Sequence, residues 1–269
     1  MALPLAKLID VIENLWPLSG AEEWDNPGLS SGNPNQPINK VLLSVDVTAE
    51  VIGEAKNLGC ELIVSHHPVL FRSVNSLSEQ TLKGQLISMA IRESIALYSA
   101  HTNADIVPQG VSDTLANAIG LEASEPLVAI SPGTGHGRIG FVKETTLQDF
   151  AKSVAKVLPK TSAPIRVAGS PERMISKVAV VGGAGDSFIT QAIAAQADVL
   201  VTSDLRHHVS LDAITDSHRS LALIDISHFA AESLWLKVAA KQLAAELGEV
   251  EFLISGVSTD PWSFVIAED

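Results

Sequence analysis

The chain of 269 residues carries 31 Asp+Glu against 18 Lys+Arg, a formal net charge of −13, with one cysteine and eight histidines. That charge argues against nucleic-acid or anionic-membrane binding, because phosphate contacts need a basic face. A single cysteine excludes an intrachain disulfide and thiolate-rich zinc or iron–sulfur sites, so a metal would have to take nitrogen and oxygen ligands.

In chain order, Leu5, Leu8, Ile9, Ile12 and Leu15 recur at helical spacing, and Lys7, Asp10 and Glu13 interrupt the apolar run. This predicts an amphipathic first helix rather than a leader peptide. No apolar run reaches the roughly 18 residues a spanning helix needs, and a reducing, cytoplasmic setting is expected. Val41–Val45 reads as a strand, Ala49–Leu58 as a helix and Leu62–Val64 as the next strand. The same grammar returns 137 positions later, with Val178–Val181 a strand, Phe188–Gln196 a helix and Val199–Val201 a strand. Ser94–Tyr98 resembles Ser220–Ile224 in the same way. The pattern predicts an α/β protein of two related lobes with layered sheets. The expected join is the Gly- and Pro-containing loop Ser131–Gly135, dividing the chain into 1–130 and 131–269.

In open α/β sheets, ligands bind beyond the carboxyl ends of the strands. Five of the eight histidines stand within a few residues of such ends: His66 and His67, then His101, His207 and His228, with His208 slightly further on. Adjacent His66 and His67 leave the chain in different directions, so they suit two neighbouring metal ions, and Pro68 restricts how His67 projects. His228 and Glu232 are spaced i, i+4 on the first turn of a helix for which Ser227 is the expected N-cap. Asp105 comes four residues after His101 in a loop expected at the surface. Each element alone is equally compatible with a helix cap or an ordinary strand end. Together, three histidines and two carboxylates suit two divalent ions about 3.5–4 Å apart. The matches Gly28–Gly32 (G-x-S-x-G) and Gly135–Gly140 (G-x-G-x-x-G) lack the flanking strand and helix that a nucleophile elbow or dinucleotide fold requires.

Trp24-Asp25-Asn26 with Gly28-Leu29, Asp46-Val47-Thr48, Leu62 to Pro68 and the block His101-Thr102-Asn103-Ala104-Asp105 resemble the Nif-three-like dinuclear metal-centre proteins. Gly182-Gly183-Ala184-Gly185, Thr202-Ser203-Asp204 with His208, and Asp225 with His228 and Glu232 occur in the same order, so the resemblance runs from Leu5 to about Ala267. It implies a metal pair in an interlobe cleft held by His66, His67, Asp105, His228 and Glu232, and assembly as a toroidal homohexamer. The metal could be zinc, iron, manganese, nickel or cobalt. Ser203, Ser227 and Pro27 depart from the residues usual in the family, and none of them removes a ligand.

Members of that family are catalogued as type 2 homologues of GTP cyclohydrolase I. The resemblance therefore implies a metal-dependent hydrolase acting on a small molecule, with His101 and His208 candidates for proton transfer. Asp46, Asp204 and Asp225 are expected to orient the ligating side chains. The competing expectation is a non-catalytic metal-binding scaffold or regulator, because Arg72, Arg138 and Arg206 are scattered and no basic cluster for a triphosphate is visible.

Overall fold

The computed structural model describes residues 2–215 and 221–266. Ser220, and Ala267 at the end of the resemblance, lie outside the described residues. The protein is mixed α/β, and the chain divides into two compact units. The first comprises Met1–Ala104 and Leu236–Thr259, and the second comprises Asp105–Trp235 and Asp260–Asp269. The loop expected to join the lobes is the turn of a hairpin, Val128–Ser131 with Thr134–His136, inside the second unit.

The first unit is built on a five-stranded sheet in the order Glu251–Ile254, Lys40–Ser44, Leu62–Ser65, Ala96–Ser99, Gly28–Ser31. The first four strands are parallel, and only the edge strand Gly28–Ser31 runs antiparallel. Gly28–Ser31 is therefore an edge strand, which no nucleophile elbow could occupy. Leu42, Ile63 and Leu97 pack on one face against Val51, Ile52 and Ala55 of one helix and Leu86, Ile87 and Ala90 of another. Helix Ala49–Leu58 forms where it does because its ends are specified. The Thr48 side chain accepts from Val51 N, and Gly59 closes the helix at φ 70°, in the left-handed region that favours glycine.

The second unit holds a six-stranded sheet in the order Arg166–Ala168, Ala222–Ile226, Val199–Ser203, Met174–Ala184, Arg138–Thr146, Glu122–Glu125. Its three central strands are parallel and its outer pairings antiparallel. Alternation decides the two faces. Val178, Val180, Val199, Val201, Ala222 and Ile224 enter one core, while Ala179, Val181, Leu200 and Leu223 enter another. Both faces are covered, which is why these strands read as unbroken apolar runs. The segment after Asp105, expected at the surface, is partly buried: Ile106 is 3% exposed.

The repeat seen in the sequence is carried by hydrogen bonds. Glu61, just before its strand, accepts from Asn39 N (3.0 Å) and Lys40 N (2.9 Å) of the neighbouring strand. Asp198, 137 positions on, accepts from Ser176 N (2.9 Å) and Lys177 N (2.8 Å). Main-chain bonds match too: Cys60 N to Ala55 O and Ala197 N to Ala192 O, then Ala96 N to Glu61 O and Ala222 N to Asp198 O. Gly59 and Gln196 both take positive φ at the equivalent turn. In each unit an acidic side chain thus fixes the register of two parallel strands.

Burial pushes the Glu61 carboxyl up, but the hydrogen bonds from Asn39 and Lys40 outweigh it and hold the group below its ordinary value of 4.5. A carboxyl lowered on folding stabilises the protein above its unfolded value, and that contribution is lost as pH falls through the folded one. Glu61→Ala and Asp198→Ala should each cost about 1–3 kcal/mol of stability by leaving strand N–H groups unsatisfied. Denaturant melts check this, and Glu61→Gln should lose less stability than wild type on acidification below pH 4.5.

Candidate metal centre

In the first unit, three strands deliver their chemistry at their carboxyl ends. His66 N and His67 N extend the sheet ladder to Ser44 O (3.0 Å) and Val45 O (2.8 Å), and Ala100 N bonds Ser65 O (3.0 Å). The backbone beneath the histidines is therefore as fixed as the sheet itself. The rings of His66, His67 and His101 lie 5.1–5.3 Å apart, centre to centre. One nitrogen from each lies within 4.8 Å of the others.

What holds each ring decides which nitrogen is offered. His66 Nδ1 lies 2.9 Å from Ala100 O, and a carbonyl only accepts, so Nδ1 carries the proton and Nε2 keeps its lone pair. His67 Nδ1 donates to Asp46 Oδ1 (2.8 Å), and Thr259 Oγ1 donates to the other oxygen of Asp46. His101 Nδ1 donates to Asp25 Oδ1 (2.8 Å). Asp25 also accepts from Thr102 Oγ1 (2.6 Å) and Thr102 N (3.1 Å). Burial raises the Asp25 carboxyl, yet the hydrogen bonds from His101 and Thr102 prevail and bring it down to about 2. Carboxylate- or carbonyl-anchored imidazoles with Nε2 presented are the usual dress of metal-binding histidines.

The second unit carries a smaller group. Ser227 Oγ accepts from Ala230 N (3.2 Å), capping the helix His228–Glu246 as the sequence predicts. One turn on, His228 Nε2 and Glu232 Oε1 meet at 2.8 Å, with Glu232 buried. His228 Nδ1 donates to Asp204 Oδ2 (2.7 Å). Burial disfavours a charged imidazole here, but the Glu232 and Asp204 carboxylates on either side outweigh it and raise its pKa to about 11. Two carboxylates about one imidazole make a place that demands positive charge, as a proton or a metal ion. Gly183, at φ +75°, leaves room for them: a Cβ there would stand 2.7 Å from Glu232 Oε1 and 3.5 Å from His228 Nε2. The donor set of imidazole and carboxylate fits a borderline divalent cation.

Asp105 ends the short helix Thr102–Asp105 and is partly buried. Asp225 is held elsewhere, by a two-pronged Arg166 ion pair and by Leu205 N (3.2 Å). His208 is exposed on the helix His207–Thr215 with its ring against His207. Of the scattered arginines, Arg138 is buried and engaged by Asp113 and the carbonyls of Val107, Gly135 and Gly137. Arg206 pairs with Asp186. Asp25 and Gly183 carry roles that spacing did not reveal, although both sit in blocks that bear the family resemblance.

The family model described as Duf34/NIF3 (NGG1p interacting factor 3) matches residues 3–261. A Streptomyces coelicolor protein named GTP cyclohydrolase 1 type 2 homolog is 39% identical, over 98% of this chain and 95% of its own. A Clostridium perfringens protein of the same name is 35% identical, over 98% of this chain and all of its own. The crystal structure of a Bacillus cereus protein related to NIF3 superposes with a TM-score of 0.91 at 26% identity, covering 98% of this chain and 100% of that one. The match over nearly the whole chain and the identity to these relatives show that the chain belongs to the Duf34/NIF3 family.

Proposed function

We propose that the protein is a metal-dependent hydrolase that holds two divalent cations through His66, His67, Asp105, His228 and Glu232. The observation that carries this reading is the anchoring of Nδ1 in His66, His67 and His228 by a carbonyl or a carboxylate, which presents Nε2 of each ring to a cation. Bound divalent cations would acidify a water to a nucleophile at neutral pH and polarise the electrophile. Asp46 and Asp204 keep their imidazoles in the ligating tautomer, and Glu232 supplies negative charge from a buried position. His101, with its proton fixed on Nδ1 by Asp25, offers Nε2 to accept a proton from a substrate or a water. His208 keeps the weaker claim on proton transfer. The name that the relatives share points to GTP as the first substrate to try. We further place the protein in the cytoplasm as a toroidal homohexamer; among the described residues no helix is long and apolar enough to cross a membrane.

Purified protein should contain close to two divalent ions per chain by mass spectrometry of the metals, and a folded protein without metal would end the dinuclear reading. Asp46→Ala and Asp204→Ala should weaken metal retention about 10–100-fold, as loss of ligand-orienting carboxylates commonly does. Gly183→Ala should reduce it as well, by crowding His228 and Glu232. Hydrolysis of GTP and of phosphoesters should collapse in Glu232→Ala; equal rates in variant and wild type would favour the scaffold. Light scattering should give about six times the 28.4 kDa of one chain, as a closed cyclic assembly requires.

A further inference from the structure

The chain has few aromatic residues, 4% of the total, yet two of them stand exposed beside the histidines. Trp24 is 60% exposed and Phe71 41% exposed. Their rings lie 5.7 Å apart at 64°. His101 meets Trp24 at 6.0 Å and 78°, and Phe71 at 5.7 Å and 75°. Each of the three rings is therefore steeply inclined to the other two, like three walls of a box corner. His101 also lies 5.1 Å from His66 and 5.3 Å from His67.

These walls are held in place. Asn26 Nδ2 donates to Leu70 O (3.0 Å), tying the segment that carries Trp24 to the one that carries Phe71. Asp25, between Trp24 and Asn26, is hydrogen-bonded to His101 and Thr102. Large apolar side chains presented to water on a fixed backbone are preorganised for a ligand, because little ordering entropy is left to lose.

A flat ring laid on any one wall presents its edge to the other two, the arrangement aromatic quadrupoles favour. One wall is an imidazole, so polar atoms on the ligand's rim would find a hydrogen-bonding partner. We infer that Trp24, Phe71 and His101 form a binding corner for an uncharged, planar nitrogen heteroaromatic ring of the nucleobase class, set beside His66 and His67. This rests on the proposed metal-dependent site and names the class of substrate it takes. Trp24 and Phe71 bind and orient the ring, and they determine specificity rather than perform chemistry.

The experiment is titration calorimetry of the full-length protein as purified, with guanosine and with adenosine, and with ribose as the control. Metal content is measured on every sample. Wild type should bind at least one of the nucleosides and not ribose. Trp24→Ala and Phe71→Ala should each weaken binding about tenfold or more, in line with lost base–aromatic stacking, while metal content and thermal melts stay at the wild-type level. Trp24→Phe should restore most of the affinity, since it keeps a stacking face. Failure of wild type to bind either nucleoside, or equal binding by wild type and both alanine variants, overturns the inference. Nucleoside binding that depends on Trp24 in protein free of metal would uphold the corner and bring down the dinuclear reading instead.

Discussion

Everything at this protein's candidate centre depends on a proton held in the right place. An imidazole has two nitrogens and, when neutral, one proton, so it ligates or accepts only through the nitrogen that lacks it. Four histidines, His66, His67, His101 and His228, have Nδ1 occupied by Ala100 O, Asp46, Asp25 and Asp204 respectively. Had Nδ1 been left to water, the rings of His66, His67 and His101 could turn and exchange tautomers, and their ligating nitrogens would not converge within the first unit. The anchors themselves rest on the sheet: Asp46 lies just past the strand Lys40–Ser44, and Ala100 just past Ala96–Ser99. Strand register therefore becomes imidazole geometry with very little freedom between them.

The sheets were legible in the sequence because both faces of their central strands are buried. Val41–Ser44, Leu62–Val64 and Val199–Val201 could be read as strands from apolar β-branched runs alone, and they end where the polar residues begin. His66, His67 and His228 were legible as a consequence, since they stand directly beyond the ends of such runs. The helix start at His228 could be read from Ser227, a cap whose chemistry is local. The five residues that spacing brings together, His66, His67, Asp105, His228 and Glu232, are the same five that the resemblance to a family implies.

The features hidden from the sequence lie in contacts between distant segments. Asp25 is 76 positions from His101, and nothing in its surroundings marks it as the carboxylate that orients that ring. Thr259 reaches Asp46 across 213 positions. Arg138 looked available for a phosphate, but the fold buries it and commits its donors to Asp113 and three carbonyls. Asp225 was expected, with Asp46 and Asp204, to orient the ligating side chains. Yet alternation along a strand turns its side chain toward Arg166 and the Leu205 amide instead.

The internal repeat shows how one framework came to carry two different donor sets. Shifted by 137 positions, Lys40 falls on Lys177 and Glu61 on Asp198, and the hydrogen bonds that set register coincide. Beyond the strand ends the correspondence breaks in a way that chemistry explains. Asp46 falls on Gly183, and His67 falls on Asp204. In the first unit the carboxylate ends one strand and the imidazole it anchors ends the next. In the second, the carboxylate has taken the imidazole's position, and the imidazole it anchors, His228, comes from the strand beyond. The place vacated at Gly183 is filled by Glu232 Oε1 and His228 Nε2, which a side chain there would displace. The same carboxylate–imidazole partnership is thus kept in both units while its members move one strand along. That shift brings Glu232, a buried carboxylate, against His228 Nε2 in the second unit.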